Sequence, residues 1–171
     1  MTYKEELCRA MEWLAEKSDV VFLGQSVNYS GNAIFNTLKT ISEHKKIELP
    51  VFEEMQMGIT TGLALDGNIP ISIFPRWNFL LLAMNQLINH LDKVNIMSNN
   101  GFKTKAIIRT GIGSQRPLHP QHQHIGDFTE EVRKLLPLTD YIHISGNDGQ
   151  HDQNKGLKGD HEIINILSGI N

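Results

Sequence analysis

The chain has 171 residues, 40% of them hydrophobic, 20% charged and 7% aromatic, a composition that excludes a disordered or collagen-like polymer. Sixteen basic against nineteen acidic residues leave a formal net charge of −3, too weak to supply the basic face that binding nucleic-acid phosphates requires. A single domain is expected at this length, able to bury roughly two thirds of its unfolded surface without a metal or disulfide staple.

The first seventeen residues place Leu7, Met11 and Leu14 on one stripe of an amphipathic helix, and their mixed charge argues against a signal peptide or membrane span. Cys8, the only cysteine, has no intrachain partner and reads as a packed thiol in a cytoplasmic protein. Val20 to Leu23 predicts a buried strand closed by Gly24, and Ala33 to His44 a helix with Ile34, Leu38 and Ile41 on one face. A third helix follows from about Glu54 to Leu65, then a strand over Ile69 to Phe74 despite Pro70. The longest helix is expected over Asn78 to Met97, on Leu82, Met84, Leu87, Ile88, Leu91 and Val94. Ala106 to Ile108 predicts a third strand, Ser114 to Ile125 a polar loop with three histidines, and Phe128 to Leu136 a helix. Tyr141 to Ile144 reads as a fourth strand, Ser145 to Asp160 as a polar loop and Gly159 to Leu167 as a short final helix. Strands alternating with helices argue for an α/β fold: a three-layer sandwich with a mostly parallel central sheet and helices on both faces.

Few motifs point to chemistry by themselves. Glu53 and Glu54 stand at the start of a helix, where acidic side chains suit the positive end of its dipole; a buried carboxylate facing a ligand is the alternative. Gly58 and Gly62, four apart on the same helix, imply that another backbone packs closely there, within the chain or from another subunit. His119, His122 and His124 are spaced unlike any usual zinc pattern, and no cysteine pair is near, so no metal site is expected; loop histidines, or one catalytic imidazole, are the readings left. Gly111-Ile112-Gly113 lacks the rest of a phosphate loop, and Asp148, Asp152, Asn154 and Asp160 lack the order of a calcium loop.

Five segments in order are more informative: FLGQSVNYSG (Phe22–Gly31), LPVFEEMQMGITTGLALDG (Leu49–Gly67), FPRWNFLLLAMNQLINHLDKVNIMSNNGF (Phe74–Phe102), AIIRTGIGSQRPLHPQHQH (Ala106–His124) and EVRKLLP (Glu131–Pro137). Together they resemble the pyrimidine-binding domain of transketolase-like thiamine-diphosphate enzymes, and most of all the N-terminal half of 2-oxo acid dehydrogenase E1 β subunits. The likeness covers roughly two thirds of the chain.

The resemblance implies that residues 1–171 form one pyrimidine-binding domain with the thiamine-diphosphate-binding fold. It makes Glu53, five residues before Gly58, the carboxylate that hydrogen-bonds N1′ of the cofactor's aminopyrimidine and so promotes loss of the thiazolium C2 proton. Phe79 would pack against the pyrimidine, with Pro75 and Trp77 in the pocket wall, and His122 would handle a proton near the thiazolium; His119 and His124 flank it. Gln25 and Ser26 depart from the family, whose turn is usually acidic there, and Leu82 stands where a polar residue is common.

The family's diphosphate-binding signature, G-D-G followed by N-N, is not matched: Gly146-Asn147-Asp148-Gly149 lies too late and Asn99-Asn100 has no preceding G-D-G. With neither a diphosphate-binding domain nor a C-terminal transketolase domain expected, Mg²⁺ and the diphosphate fall to a separate subunit in an α2β2 heterotetramer. The function implied is the small subunit of a split enzyme, active only with that partner. It would decarboxylate a 2-oxo acid, or cleave a ketose, and transfer the acyl-anion equivalent to an acceptor. An E1-type oxidoreductase subunit feeding a lipoyl carrier, and a non-catalytic scaffold with a degenerate pyrimidine-binding fold, are the alternatives.

Overall fold

A computed structural model describes residues 2–112 and 119–136, within which helices and strands alternate. The first helix, α1 (Tyr3–Ala15), opens with a capping box. The Thr2 hydroxyl accepts the Glu5 N–H at 3.3 Å, and the Glu5 carboxylate accepts the Thr2 N–H at 2.7 Å, which holds that carboxyl below its usual pKa. Four strands follow: β1 (Val20–Gly24), β2 (Lys46–Glu48), β3 (Ile69–Ile73) and β4 (Ile107–Arg109). All pair in parallel in the order β2-β1-β3-β4, with Phe22 opposite both Lys46 and Ile71, and Ile71 opposite Ile107. The intervening helices are α2 (Ala33–Leu38) and α3 (Glu53–Leu65). This is the parallel α/β architecture that the alternation predicts. Because β2 and β3 leave β1 in opposite directions, the carboxyl ends of β1 and β3 form the switch point, where open α/β sheets present a crevice to ligands.

Side chains on β3 divide the interior. Ile69, Ile71 and Ile73 join Met11, Leu14, Val20, Phe22, Val27 and Leu38 in one core beside α1 and α2. Phe74 joins Met57, Trp77, Leu80, Ala83, Leu87 and Val132 in a second core beside α3.

Three expectations are corrected. Helix α2 stops at Leu38 rather than running to His44; a single tight turn, Glu43–Lys45, leads into β2 instead. The three residues of β2 were not anticipated because two carry charge, although Lys46 is buried with its ammonium 5.6 Å from the Phe35 ring. The long helix over Asn78 to Met97 is four shorter pieces: α4 (Trp77–Leu80), a 3₁₀ turn at Leu81–Ala83, a π turn at Gln86–Leu91 and α5 (Val94–Met97). The π turn widens the coil, its Asp92 N–H donating to Leu87 O at 3.0 Å, while Leu87, Ile88 and Leu91 still meet the second core. Apolar spacing therefore reads as one continuous helix. A last helix, α6 (Thr129–Leu135), matches expectation. The strand at Tyr141–Ile144, the loop over 145–160, the helix at Gly159–Leu167 and residues 113–118 of the histidine loop lie outside the described residues.

Candidate cofactor site

The switch point is built around a close backbone contact. Gly24 ends β1 with φ 142°, and a Cβ there would lie 2.1 Å from Ile73 O and 3.0 Å from Gln56 Nε2. Only glycine lets the two strand ends sit this close. The chain then turns through Ser26, at φ 64°, held by Glu48 at the end of β2, whose carboxylate accepts the N–H groups of Ser26 (2.7 Å) and Asn28 (2.8 Å). Leu49 N–H donates to Gly24 O at 3.0 Å, fixing the same turn from the other side.

Gln25, only 7% exposed, is turned inward by this arrangement, and its Nε2 donates to Glu53 Oε1 at 3.1 Å. Glu53 is the first residue of α3 and is 4% exposed, so its carboxylate lies at the positive end of a thirteen-residue helix. No hydrogen bond to its Oε2, and no ion pair, is found among the described residues. Glu54, in contrast, is exposed and accepts from Gln86 Nε2 at 3.4 Å. One turn further, the fully buried Gln56 donates from Nε2 to Ser72 Oγ and Ile73 O, both at 3.0 Å, while its Oε1 is enclosed without a partner among the described residues. Thr60 Oγ donates to Gln56 O at 2.8 Å.

The ends of β3 and β4 carry the other predicted residues. Phe74 N–H donates to Arg109 O at 2.8 Å and Trp77 N–H to Gly111 O at 3.0 Å, tying the start of α4 to β4. Trp77 is buried in the second core, and Pro75 and Phe79 are half-buried. The Phe79 ring lies 5.4 Å from the His124 ring, tilted by 52°, and Arg76 Nη1 donates to His124 O at 3.1 Å. His124 Nδ1 and Asn78 Oδ1 are enclosed without hydrogen-bond partners among the described residues. His122 is exposed and lies edge-on to His119 at 5.6 Å, so it is His124, and not His122, that packs against Phe79. Among the described residues no group of three His, Cys, Asp or Glu side chains is placed to hold a metal ion.

Sequence reasoning singled out Glu53 and Phe79 but gave Gln25 and Gln56 no part in the site. The signal for Gln25 was its position: the first residue after a strand that ends in glycine at a switch point. At Gly58 and Gly62, on α3, a methyl group would meet nothing within 4 Å, so the close approach they imply is not made among the described residues. On the other side of the sheet, burial lowers the pKa of the Arg109 guanidinium to about 10, against a weaker opposing influence from Tyr3 and Cys8, and its Nη1 has no partner among the described residues.

No protein-family model matches the chain. Over 154 residues, 88% of the chain, it is 30% identical to the pyruvate dehydrogenase E1 component subunit beta, mitochondrial, of Saccharomyces cerevisiae, covering 42% of that protein. It is 30% identical to the pyruvate dehydrogenase E1 component subunit beta of Gracilaria tenuistipitata over 65% of the chain and 35% of the relative. For the 2-oxoisovalerate dehydrogenase subunit beta of Bacillus subtilis the identity is 27%, over 66% of the chain and 36% of the relative. The resemblance to E1 β subunits is thus borne out over most of the chain, which spans 42% or less of the length of these three relatives. Among the described residues no helix is long and apolar enough to cross a membrane.

Proposed function

We propose that this chain supplies the pyrimidine-binding half of a thiamine-diphosphate site, as the small subunit of a split enzyme acting on a 2-oxo acid. The observation that carries the reading is Glu53: a buried carboxylate at a helix N-terminus, at the switch point, with one oxygen held by a neutral donor and no cation against it among the described residues. That donor set fits an aminopyrimidine, which offers a ring nitrogen able to share a proton with a carboxylate and a flat face for an aromatic ring. When bound, thiamine diphosphate supplies the nucleophilic carbon and the electron sink that decarboxylation needs.

Glu53 holds the proton at ring N1′, and its burial lets that hydrogen bond act in a low dielectric, where it is stronger than in water. Phe79 packs on the ring, with Pro75 at the pocket wall and Trp77 supporting it from the second core. His122 takes the proton-handling role near the substrate, and its exposure in the single chain leaves it free to meet one. Mg²⁺ and the diphosphate are held by a partner subunit, in an α2β2 assembly. The open glycine side of α3 and the exposed Phe52 and Leu82 support such a partner. The names of the relatives favour a 2-oxo acid over a ketose, and an E1-type acceptor alongside a carbonyl one. A cytoplasmic location completes the reading.

The test is co-expression with a diphosphate-binding subunit and assay of 2-oxo acid-dependent reduction of an artificial electron acceptor. Glu53→Gln should lower kcat by about a hundredfold or more, the scale of a lost acid–base group. Full activity in that variant overturns the reading.

A further inference from the structure

We infer that Gln25 is the positioning residue for Glu53: a side chain that cannot titrate, holding one carboxylate oxygen so that the other is the one presented to the pyrimidine. The inference rests on the proposed role of Glu53 and extends it to a residue outside that reading.

A buried carboxylate can rotate about its last bond and exchange its two oxygens. Here the exchange is opposed from one side only. Gln25 Nε2 donates to Oε1 at 3.1 Å, and Oε2 has no hydrogen bond among the described residues. Gln25 is itself over-determined: it is 7% exposed, follows Gly24, whose conformation no other residue fits, and precedes Ser26, whose N–H is clamped by Glu48. The type of residue matters as much as its place. An acid at this distance from Glu53 would share a proton with it, since two adjacent carboxyls do not both ionise easily. An amide donates without taking a proton away, so the proton that Glu53 shares with its ligand is not divided with a neighbour.

The test compares two ligands titrated calorimetrically into the assembled complex: thiamine diphosphate, and its analogue with C–H in place of ring N1′. The wild type should prefer the natural cofactor by about tenfold, the worth of one good hydrogen bond to a charged group. Gln25→Met should lose most of that preference while binding the analogue within about twofold of wild type, a split that a general loss of packing does not produce. Unchanged preference in Gln25→Met, or an equal fall for both ligands, overturns the inference. Glu53→Leu separates it from the reading beneath: if this variant keeps the preference, Glu53 does not meet N1′ and both fall. If it loses the preference while Gln25→Met keeps it, only the role of Gln25 falls. In the chain alone, the Gln25 side-chain amide proton should move upfield in the ¹H–¹⁵N spectrum of Glu53→Gln; an unmoved resonance also overturns the hydrogen bond.

Discussion

The two faces of the sheet are built on different principles. Beside α1 and α2 the interior is packed almost wholly by aliphatic and aromatic groups, with Phe22, Leu14 and Ile71 fully enclosed. Beside α3, polar side chains are buried among the apolar ones and hydrogen-bonded in two groups, Gln25 with Glu53, and Gln56 with Thr60, Ser72 and the Ile73 carbonyl. The first face gains its stability from area removed from water. The second accepts desolvated polar groups, which add little net stability when paired and cost heavily when orphaned. The same strand serves both, because alternate residues of β3 point to opposite sides. One side of the molecule holds the fold together, and the other gives up some of that stability to bury polar side chains.

That contrast can be broken, and the largest effect belongs to the dry face. Phe22→Ala should cost about 4 kcal/mol in chemical denaturation, a cavity penalty, while leaving the cofactor affinity of the folded complex within about twofold. Gly24→Ala should cost about 3 kcal/mol and damage both faces, since the new methyl must displace Ile73 O. A mutant as stable as wild type would show that the strand ends are not locked together. Gln56→Met should cost about 1.5 kcal/mol, because Ser72 Oγ and Ile73 O lose their donor although an orphaned acceptor is removed.

Arg109→Met is the smallest effect and has the opposite sign. It should raise stability by about 1 kcal/mol at neutral pH, as a desolvated cation with no ion pair among the described residues gives way to an apolar chain of similar length. Burial lowers the guanidinium pKa to about 10 in the folded protein, below its ordinary value in the unfolded chain. The penalty is therefore complete at low and neutral pH and is relieved as pH rises through 10, where the unfolded state binds more protons. Thermal melts of wild type and variant should converge above pH 10. A destabilised Arg109→Met at pH 7 would mean that the dry face is less uniform than it looks.

The sheet was legible because β1 and β3 are short apolar runs bounded by glycine and by a helix start, whereas Glu53 was told from Glu54 only by the resemblance, which counts back five residues from Gly58. What escaped was set by neighbours distant in sequence. Charged β2 becomes a strand because Lys46 lies under Phe35 and Glu48 caps the turn after β1, neither visible in local periodicity. The π turn at Gln86–Leu91 preserves the apolar spacing that hides it. Gln25 looked like a departure from an acidic turn until its amide was placed 3.1 Å from Glu53, 28 residues away. The histidines divide in the same manner: spacing cannot show that His124 reaches Phe79 while the ring of His122 lies against His119.

The pairing of β1 with β3 has a kinetic consequence. Val20 lies beside Ile69, so the loop that closes this contact contains α2, β2 and α3 in full. Closing so long a segment spends chain entropy before any ladder hydrogen bond is returned, which places the step late in folding. The close approach of Gly24 to Ile73 that forms the switch point is made only when that loop shuts. Refolding followed by a probe at Trp13, on α1, and by one at Trp77, on α4, should therefore diverge, with the α4 signal trailing and the site maturing last.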